Sequence, residues 1–506
     1  MNNKQAVFLP SMLSGFVRLS CATALVFTLG ACNSSDGGSG SGSGGGSGNG
    51  TGTGSGGSGG GSGTGTGGSG NGGSGPGGGP GNVPMIKIIS ADDGTHGAEL
   101  WKTDGTTDGT VLVKDINPTA DSSPTGFTEF NGAFYFRADD GVHGRELWKT
   151  DGTAEGTVLV KDINPTAGES STPSGFTPFN GALYFAANKG VVGDKLWKTD
   201  GTTEGTVLVK DFTVTEDPMS GAYIFKFFVF NDALYFQSAP FGSRGTELWK
   251  TDGTAEGTVK VVSLGISTSG FTEFNGALYY SSERSVWKTD GTAAGTVRVK
   301  EFNVAYAIPP AGLTQFNDAL YFAANSDAGA RGIELWKTDG TEAGTVLVKD
   351  INPTPGMSSD PFGLTAFNDA LYFHANDGVH GVALWKTDGT TDGTVLVKAI
   401  PGTSFEPMGF KVFNGLLYFN ATDGVNGNEL WKSDGTEAGT VLVKDINPAA
   451  GASSNAAGFF ILNEALYFQT DDGVNGVELW TTDGTSDSTQ LVKDVCPGSC
   501  SGRIAY

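Results

Sequence analysis

The phrase ELWKTDGT, complete or with small changes, occurs nine times in this chain, and each copy contains one of its nine tryptophans. These tryptophans are Trp101, Trp148, Trp197, Trp249, Trp287, Trp336, Trp385, Trp431 and Trp480. Successive copies lie 38 to 52 residues apart. A period of this length predicts a repeat architecture, in which each unit buries its apolar surface against its neighbours. Most of the 506 residues are therefore expected to form one repeat domain.

The second repeat shows the whole unit between residues 125 and 165. Four short apolar segments can be recognised, GFTEF, AFYFRA, ELWKT and GTVLVKDI. Two-residue turns separate them, with Asn131-Gly132 as a type I′ hairpin signal and Asp151-Gly152 as a second turn. Four antiparallel strands in this length are typical of one blade of a β-propeller. We therefore predict an all-β fold, a β-propeller of about nine four-stranded antiparallel blades.

Other arrangements of the repeats remain open from the sequence. A parallel β-helix or an open solenoid is the main rival, although its coils are usually shorter and do not need repeated hairpin turns. Nine blades is a high number, so two smaller rings, or one ring with a repeat outside it, are alternatives to a single ring.

The two ends of the repeat array favour a closed ring. The first repeat begins at its second strand, Met85 to Ile89, while the last continues beyond Val495 to Tyr506. This C-terminal segment is expected to pair with the first blade.

The N-terminal residues have the layout of an export signal. Lys4 and Arg18 precede an apolar run, residues 21 to 29, that is too short to span a membrane. The next residues, Leu29 to Cys32 (LGAC), resemble the lipobox of bacterial lipoproteins. This resemblance implies that Cys32 is lipidated and becomes the first mature residue; an ordinary signal peptide is the alternative. Asn33 follows the cysteine, which in Gram-negative lipoproteins implies delivery to the outer membrane.

A low-complexity segment of Gly, Ser, Thr and Asn follows. It has no apolar residues to form a core, so it predicts a flexible linker with a mean span on the order of 40 Å. The predicted organisation is a lipoprotein signal peptide at residues 1–31, a linker at 32–82 and the propeller at 83–506. The expected location is the bacterial cell envelope, at the outer membrane or cell surface.

The charge of the chain argues against one class of partner. The formal net charge is −23, which argues against nucleic acid, because its phosphates must be neutralised by Lys and Arg.

The cysteines predict one disulfide. With Cys21 in the signal and Cys32 lipidated, only Cys496 and Cys500 remain. An exported protein permits them to form a disulfide.

The repeats also resemble a known family. ELWKTDGTTDGT at residues 99–110, ELWKTDGTAEGT at 146–157 and ELWKSDGTEAGT at 429–440 are similar to the repeats of bacterial ELWxxDGT-repeat proteins. The resemblance extends from about Met85 to Val495. It implies a secreted or surface repeat protein, and it implies no established reaction.

Calcium is the one cofactor that the repeats suggest. Asp139, Asp140 and Glu146 flank a glycine-rich loop, and Ca²⁺ prefers clustered carboxylate and carbonyl oxygens. Turn chemistry is the alternative, because Lys189 and Ala383 replace acids at equivalent positions. Three histidines share one position in these loops, His96, His143 and His380, and are interpreted as solvated turn residues.

Departures from the repeat cluster in the fourth and fifth copies. Exposed aromatic residues and two arginines interrupt the acidic pattern there, and they define a candidate partner-binding sector of Tyr223, Phe241, Arg244, Arg284 and Tyr306. Local sequence decay is the alternative.

Outside the low-complexity linker, neither a G-x-S-x-G motif nor a Cys/His pair is present in the sequence. We therefore predict a non-catalytic binding or adhesion module, with a protein or polysaccharide as partner. A carbohydrate-binding or carbohydrate-active propeller and a structural coat protein are the alternatives.

Overall fold

The computed structural model describes residues 85–190, 193–212, 221–302, 309–325, 331–498, 500–502 and 504–505. The chain divides into two units, residues 1–77 and 78–506, and every described residue belongs to the second. The predicted signal peptide, Cys32 and the linker lie outside the described residues. Among the residues that are described, no helix is long and apolar enough to cross a membrane.

Within the described residues, 35 strands form nine antiparallel sheets, one for each repeat. Blades 1 to 3 contain β1 (Lys87–Asp92), β2 (Ala98–Thr103), β3 (Val111–Lys114); β4 (Thr125–Phe130), β5 (Ala133–Asp139), β6 (Arg145–Thr150), β7 (Val158–Lys161); β8 (Ser174–Phe179), β9 (Ala182–Ala187), β10 (Lys195–Thr199) and β11 (Val207–Lys210). Blades 4 to 6 contain β12 (Ala222–Phe230), β13 (Ala233–Pro240), β14 (Glu247–Thr251), β15 (Val259–Ser263); β16 (Ser269–Phe274), β17 (Ala277–Ser282), β18 (Ser285–Thr289), β19 (Val297–Glu301); β20 (Ala311–Phe316), β21 (Ala319–Asn325), β22 (Ile333–Thr338) and β23 (Val346–Lys349). Blades 7 to 9 contain β24 (Phe362–Phe367), β25 (Ala370–Asn376), β26 (Val382–Thr387), β27 (Val395–Lys398); β28 (Met408–Phe413), β29 (Leu416–Thr422), β30 (Asn428–Ser433), β31 (Val441–Lys444); β32 (Ala457–Leu462), β33 (Ala465–Asp471), β34 (Val477–Thr482) and β35 (Gln490–Lys493).

The sheets are arranged as a nine-bladed β-propeller, which confirms the predicted fold. The apolar core lies between blades, because strands that are apolar on both faces pack against a neighbour on each side. Between blades 2 and 3, for example, Tyr135 and Leu147 pack with Phe185 and Trp197. Six of the nine tryptophans are only 6–7% exposed at such interfaces.

The ring closes between blades 9 and 1. Ser90 of β1 and Ala505 exchange two backbone hydrogen bonds, of 2.7 and 2.9 Å. Ile504 is buried in a cluster that contains residues of β1 and of blade 9, and Lys493 of β35 donates to the carbonyl of Thr110 at 2.7 Å. The C-terminal segment therefore joins the first blade as predicted, although within the described residues it contributes one bridge and not a full strand.

A one-residue bulge interrupts the first strand of every four-stranded sheet, which we call the inner strand; the last strand of each sheet is its outer strand. In β4 the pairing passes from Thr125 opposite Arg137 to Thr128 opposite Tyr135, and Gly126 has a φ of 79°. Glycine tolerates this left-handed conformation because it has no Cβ. Blade 4 is different, since Lys226 stands at this position with a φ of 54° and donates to the carbonyl of Thr268 at 3.0 Å.

Candidate functional site

The Asp-Gly-Thr turns of the repeat are structural. In blade 1, Asp104 Oδ1 accepts hydrogen bonds from Thr106 N and Thr106 Oγ1, at 2.9 and 2.7 Å. These bonds hold the pKa of the Asp104 carboxyl below its usual value. Lys102 then donates to the carbonyl of Gly152 in blade 2 at 2.9 Å. The equivalent lysine makes the same contact at the next seven junctions, through Lys149, Lys198, Lys250, Lys288, Lys337, Lys386 and Lys432.

The glutamate of the motif is also structural in five blades. We call these residues the latch glutamates: Glu99, Glu146, Glu334, Glu429 and Glu478, all fully buried. Glu334 accepts hydrogen bonds from Ile351 N (2.8 Å), Ser359 N (3.0 Å) and Ser359 Oγ (2.6 Å). Each latch glutamate thus holds the loop that leads to the next blade. Burial raises the pKa of every one, in Glu334 and Glu478 to about 7.

The structure does not bring the three calcium candidates together. Asp139 Oδ1 accepts Gly141 N, and Asp140 Oδ1 accepts Val142 N and His143 N, all inside their own loop. Glu146 instead points inward as a latch glutamate and accepts three bonds from Ile163 and Ser171. In the described part of the chain, no group of three or more His, Cys, Asp and Glu side chains is placed to hold a metal ion. Calcium binding at these loops stays a prediction.

The loop histidines are held by the same aspartates. His143 Nδ1 lies 2.7 Å from Asp140 Oδ2, and this hydrogen bond raises the pKa of the imidazole. The pair is repeated at His96 with Asp93 and at His380 with Asp377. The residues that recur in most repeats form turns or hold the connecting loops. We therefore expect the functional residues where blades depart from the repeat.

Three neighbouring cavities lie on one face of blades 6 to 8. This face, which we call the loop face, carries the connections between blades and the hairpin loops between the second and third strands. Asp139 N, for example, donates across it to the carbonyl of Ser122 at 3.0 Å. Three cavities of about 570, 450 and 390 Å³ adjoin one another on it. The first two share Gly381, and the second and third share Thr403 and Ser404. We call them together the loop-face groove.

Two exposed apolar side chains line this groove, and two more follow its lining residues in the chain. Met357 and Val379 line it and are 54% and 81% exposed. Phe362 and Met408 begin the inner strands β24 and β28 and are 64% and 42% exposed. Each is within two residues of a lining carboxylate, Asp360 or Glu406. Exposed apolar residues beside a cavity are characteristic of an interaction surface.

His374 supports the inner end of the groove. Its ring stacks on Phe362 with the centroids 5.4 Å apart, and its Nδ1 donates to the carbonyl of Pro407 at 3.0 Å. Burial lowers the pKa of this imidazole, which is therefore neutral at neutral pH. His374 thus fixes the ring of Phe362 and joins β25 to the connection that precedes β28.

The sequence contained a signal for this region that our prediction missed. Blade 7 lacks both acids of the usual pattern, with Ala383 in place of the latch glutamate and Ala399 in place of the aspartate that follows the outer strand. Phe405 fills the core instead, fully buried and edge-on to Phe419 and Trp431. The connection between blades 7 and 8 therefore follows a different path, and the groove runs beside it.

The structure assembles the predicted sector of blades 4 and 5 only in part. Tyr223, which is 61% exposed, packs edge-on against Phe241 with the ring centroids 4.9 Å apart. Arg244 lies in the same hairpin loop as Phe241. Arg284 stands in the corresponding turn of blade 5, where its Nε donates to Glu301 Oε1 at 2.9 Å. Tyr306 lies outside the described residues.

The C-terminal cysteines are paired in the structure. A disulfide joins Cys496 and Cys500, beside the Gly94 loop of blade 1. It stiffens the segment that leads to the ring closure.

Comparisons with known proteins give only distant similarities. No protein-family model and no curated protein matches the chain. Among solved structures, a prolyl endopeptidase is 13% identical with a TM-score of 0.40, covering 64% of this chain and 49% of its own. A puromycin hydrolase is 14% identical with a TM-score of 0.35, covering 66% and 55%. The propeller domain of the trilobed protease from Pyrococcus furiosus is 10% identical with a TM-score of 0.35, covering 64% and 98%.

The chain thus spans about half the length of the first two of these proteins. At these TM-scores the similarities carry no argument about activity. The functional conclusion must therefore rest on the residues of the chain itself.

Proposed function

We propose that this protein is a non-catalytic binding module of the bacterial cell surface, of the ELWxxDGT-repeat kind, anchored by a lipid on Cys32. We further propose that the loop-face groove binds an extended segment of a partner protein that carries apolar and basic side chains. The observation that carries this proposal is the pair of exposed apolar residues Met357 and Val379, which line two of the three adjoining cavities. Exposed Phe362 and Met408 follow the lining residues Asp360 and Glu406 in the chain. Exposed apolar side chains beside cavities favour a protein partner.

Charge supports a basic partner. Asp360 and Glu406 are exposed in the groove, and the whole chain carries a formal net charge of −23. An acidic surface attracts cationic segments and repels anionic ones over distances of about a Debye length, roughly 8 Å at physiological salt. Apolar side chains on the rim then supply the contact that holds the segment.

The groove can be tested with synthetic peptides in which phenylalanine or leucine alternates with lysine, glutamate or serine. The full-length protein is expected to bind the lysine peptides most tightly, and less tightly at high salt. The triple variant Met357→Ser, Phe362→Ser and Val379→Ser is expected to lose at least about tenfold in affinity. Calorimetry measures both effects.

A matched control is available in the same repeat position. Val142 and Val474 are loop-tip valines, 64% and 68% exposed, in blades 2 and 9. The double variant Val142→Ser and Val474→Ser is expected to bind like the wild type. Equal binding of glutamate peptides, or an unchanged affinity in the groove variant, would reject the proposed site. Cleavage of the peptides, followed by mass spectrometry, would reject the non-catalytic role.

The anchor is tested separately. Because the lipid is expected on the thiol of Cys32, the variant Cys32→Ser is expected to move the protein from the membrane fraction to the soluble fraction. Fractionation of cells that produce each form, followed by immunoblotting, measures this. A Cys32→Ser protein that stays with the membrane would contradict lipid anchoring, while leaving the groove to be judged by the peptides.

A further inference from the structure

A second, smaller cavity lies between blades 4 and 5, away from the loop-face groove. Two loops are short at this junction. The connection to blade 5 comprises only residues 264–268, against 115–124 in the first connection, and the hairpin turn of blade 5 comprises 283–284, against 140–144 in blade 2. The shortened loops leave a cavity of about 200 Å³.

Aromatic rings form one wall of this cavity. Trp287 and Tyr280 both line it, and they stack nearly parallel, with an interplanar angle of 10° and centroids 6.4 Å apart. Trp287 is half-buried, whereas six of the other tryptophans are only 6–7% exposed. The indole therefore remains partly accessible here, while the same position is sealed in most blades.

Hydroxyl groups and one carboxylate form the rest of the lining. Ser263, Ser282 and Thr296 supply hydroxyls, and Glu283 supplies the carboxylate. Glu283 holds a φ of 54°, a conformation that costs an L-residue on the order of 1 kcal/mol. Gly265 leaves room for its side chain, because a Cβ there would lie 2.9 Å from Glu283 Oε1 and 2.6 Å from Ser282 Oγ. The nearby Arg284 is engaged by Glu301.

We propose that this cavity binds a single neutral pyranose ring. An aromatic face packs against the apolar face of a sugar ring, and hydroxyl and carboxylate groups exchange hydrogen bonds with its hydroxyls. Within the described residues, no cationic side chain lines the cavity, so Glu283 would repel an acidic sugar. This site is independent of the loop-face groove and of the peptide that the groove is proposed to bind.

The test uses the full-length protein with glucose, galactose, mannose, N-acetylglucosamine and glucuronic acid. At least one neutral sugar is expected to bind saturably in calorimetry with a Kd on the order of 1 mM, and to change tryptophan fluorescence. Glucuronic acid is expected to bind at least about tenfold more weakly than the corresponding neutral sugar. Glu283→Gln is expected to remove that difference.

The cavity can be filled without disturbing the core. Ser263 is exposed at the end of β15 and lines the cavity, so Ser263→Phe is expected to weaken sugar binding at least about tenfold. Val259, exposed at the start of β15 and outside the lining, supplies the control Val259→Phe. The groove variant is expected to bind sugar normally. Absence of binding by every neutral sugar, unchanged binding in Ser263→Phe, or tighter binding of glucuronic acid would overturn the proposal.

Discussion

Replacement of Glu334 by alanine is expected to lower the free energy of unfolding by about 3 kcal/mol. The fully buried carboxylate accepts three hydrogen bonds, from Ile351 N, Ser359 N and Ser359 Oγ. Alanine leaves Ile351 N without its carboxylate acceptor, which costs about 1–3 kcal/mol, and it removes two further hydrogen bonds worth about 1 kcal/mol each. Ser359 N and Ser359 Oγ keep a second acceptor, the carbonyl of Ile333, at 3.0 and 3.3 Å. Chemical denaturation and thermal melting measure the loss. A domain of this size is expected to melt about 3 °C lower.

The repeat itself supplies the control. Glu247 occupies the same motif position in blade 4, but its side chain is 20% exposed, and its carboxylate accepts hydrogen bonds from Trp249 Nε1 and Lys260. Water reaches this ion pair, so its contribution is about 1 kcal/mol. Glu247→Ala is therefore expected to melt within about 1 °C of the wild type. Equal losses in the two variants would show that the latch is not what distinguishes these positions.

Much of the fold could be predicted from the sequence, because the patterns that indicate turns and strands are local and recur in every repeat. Asn131-Gly132 and its counterparts set the hairpin turns, and the first strand of a blade has six residues in blade 2 and nine in blade 4. The missing first strand of repeat 1 and the extra C-terminal residues together predicted closure, and Ser90 pairs with Ala505 accordingly.

The candidate sites were much harder to predict from the sequence. The loop-face groove combines residues of separate loops, at 352–360, 376–381, 400–406, 422–428 and 451–453, and no local pattern shows that they adjoin. The sequence also could not show which way Glu146 points. It stands six residues after Asp140 and was grouped with that loop, whereas its side chain bonds to Ile163 and Ser171.

The stability of the ring is expected to rise as the pH is lowered from about 8 to about 5. In the folded protein, burial raises the pKa of Glu334 and Glu478 from 4.5 to about 7, and it raises the pKa of the other three latch glutamates as well. Between pH 4.5 and 7 the folded state therefore binds more protons than the unfolded state. The associated stability is fully present below pH 4.5 and is lost as the pH rises through 7.

Two other groups set the limits of this effect. The aspartates of the Asp-Gly-Thr turns, such as Asp104 and Asp339, have lowered pKa values, so their contribution is present above about pH 4 and is lost in stronger acid. His374 opposes the latch glutamates, because burial lowers its pKa and its contribution falls as the pH drops below about 6.5. Protonation of five glutamates stabilises the ring as the pH falls, whereas only one histidine opposes this effect. Maximal stability is therefore expected near pH 5.

Thermal melting from pH 4 to 8 measures this profile. Glu334 and Glu478 are each expected to contribute on the order of 2–3 kcal/mol, so the melting temperature should be about 5 °C higher at pH 5 than at pH 8. The double variant Glu334→Gln and Glu478→Gln cannot ionise at these positions and is expected to melt lower, with a flatter profile. Glu247→Gln, changed at a position that is partly exposed, should keep the profile of the wild type. A melting temperature that rises steadily to pH 8 would show that the latch glutamates are ionised without cost in the folded ring.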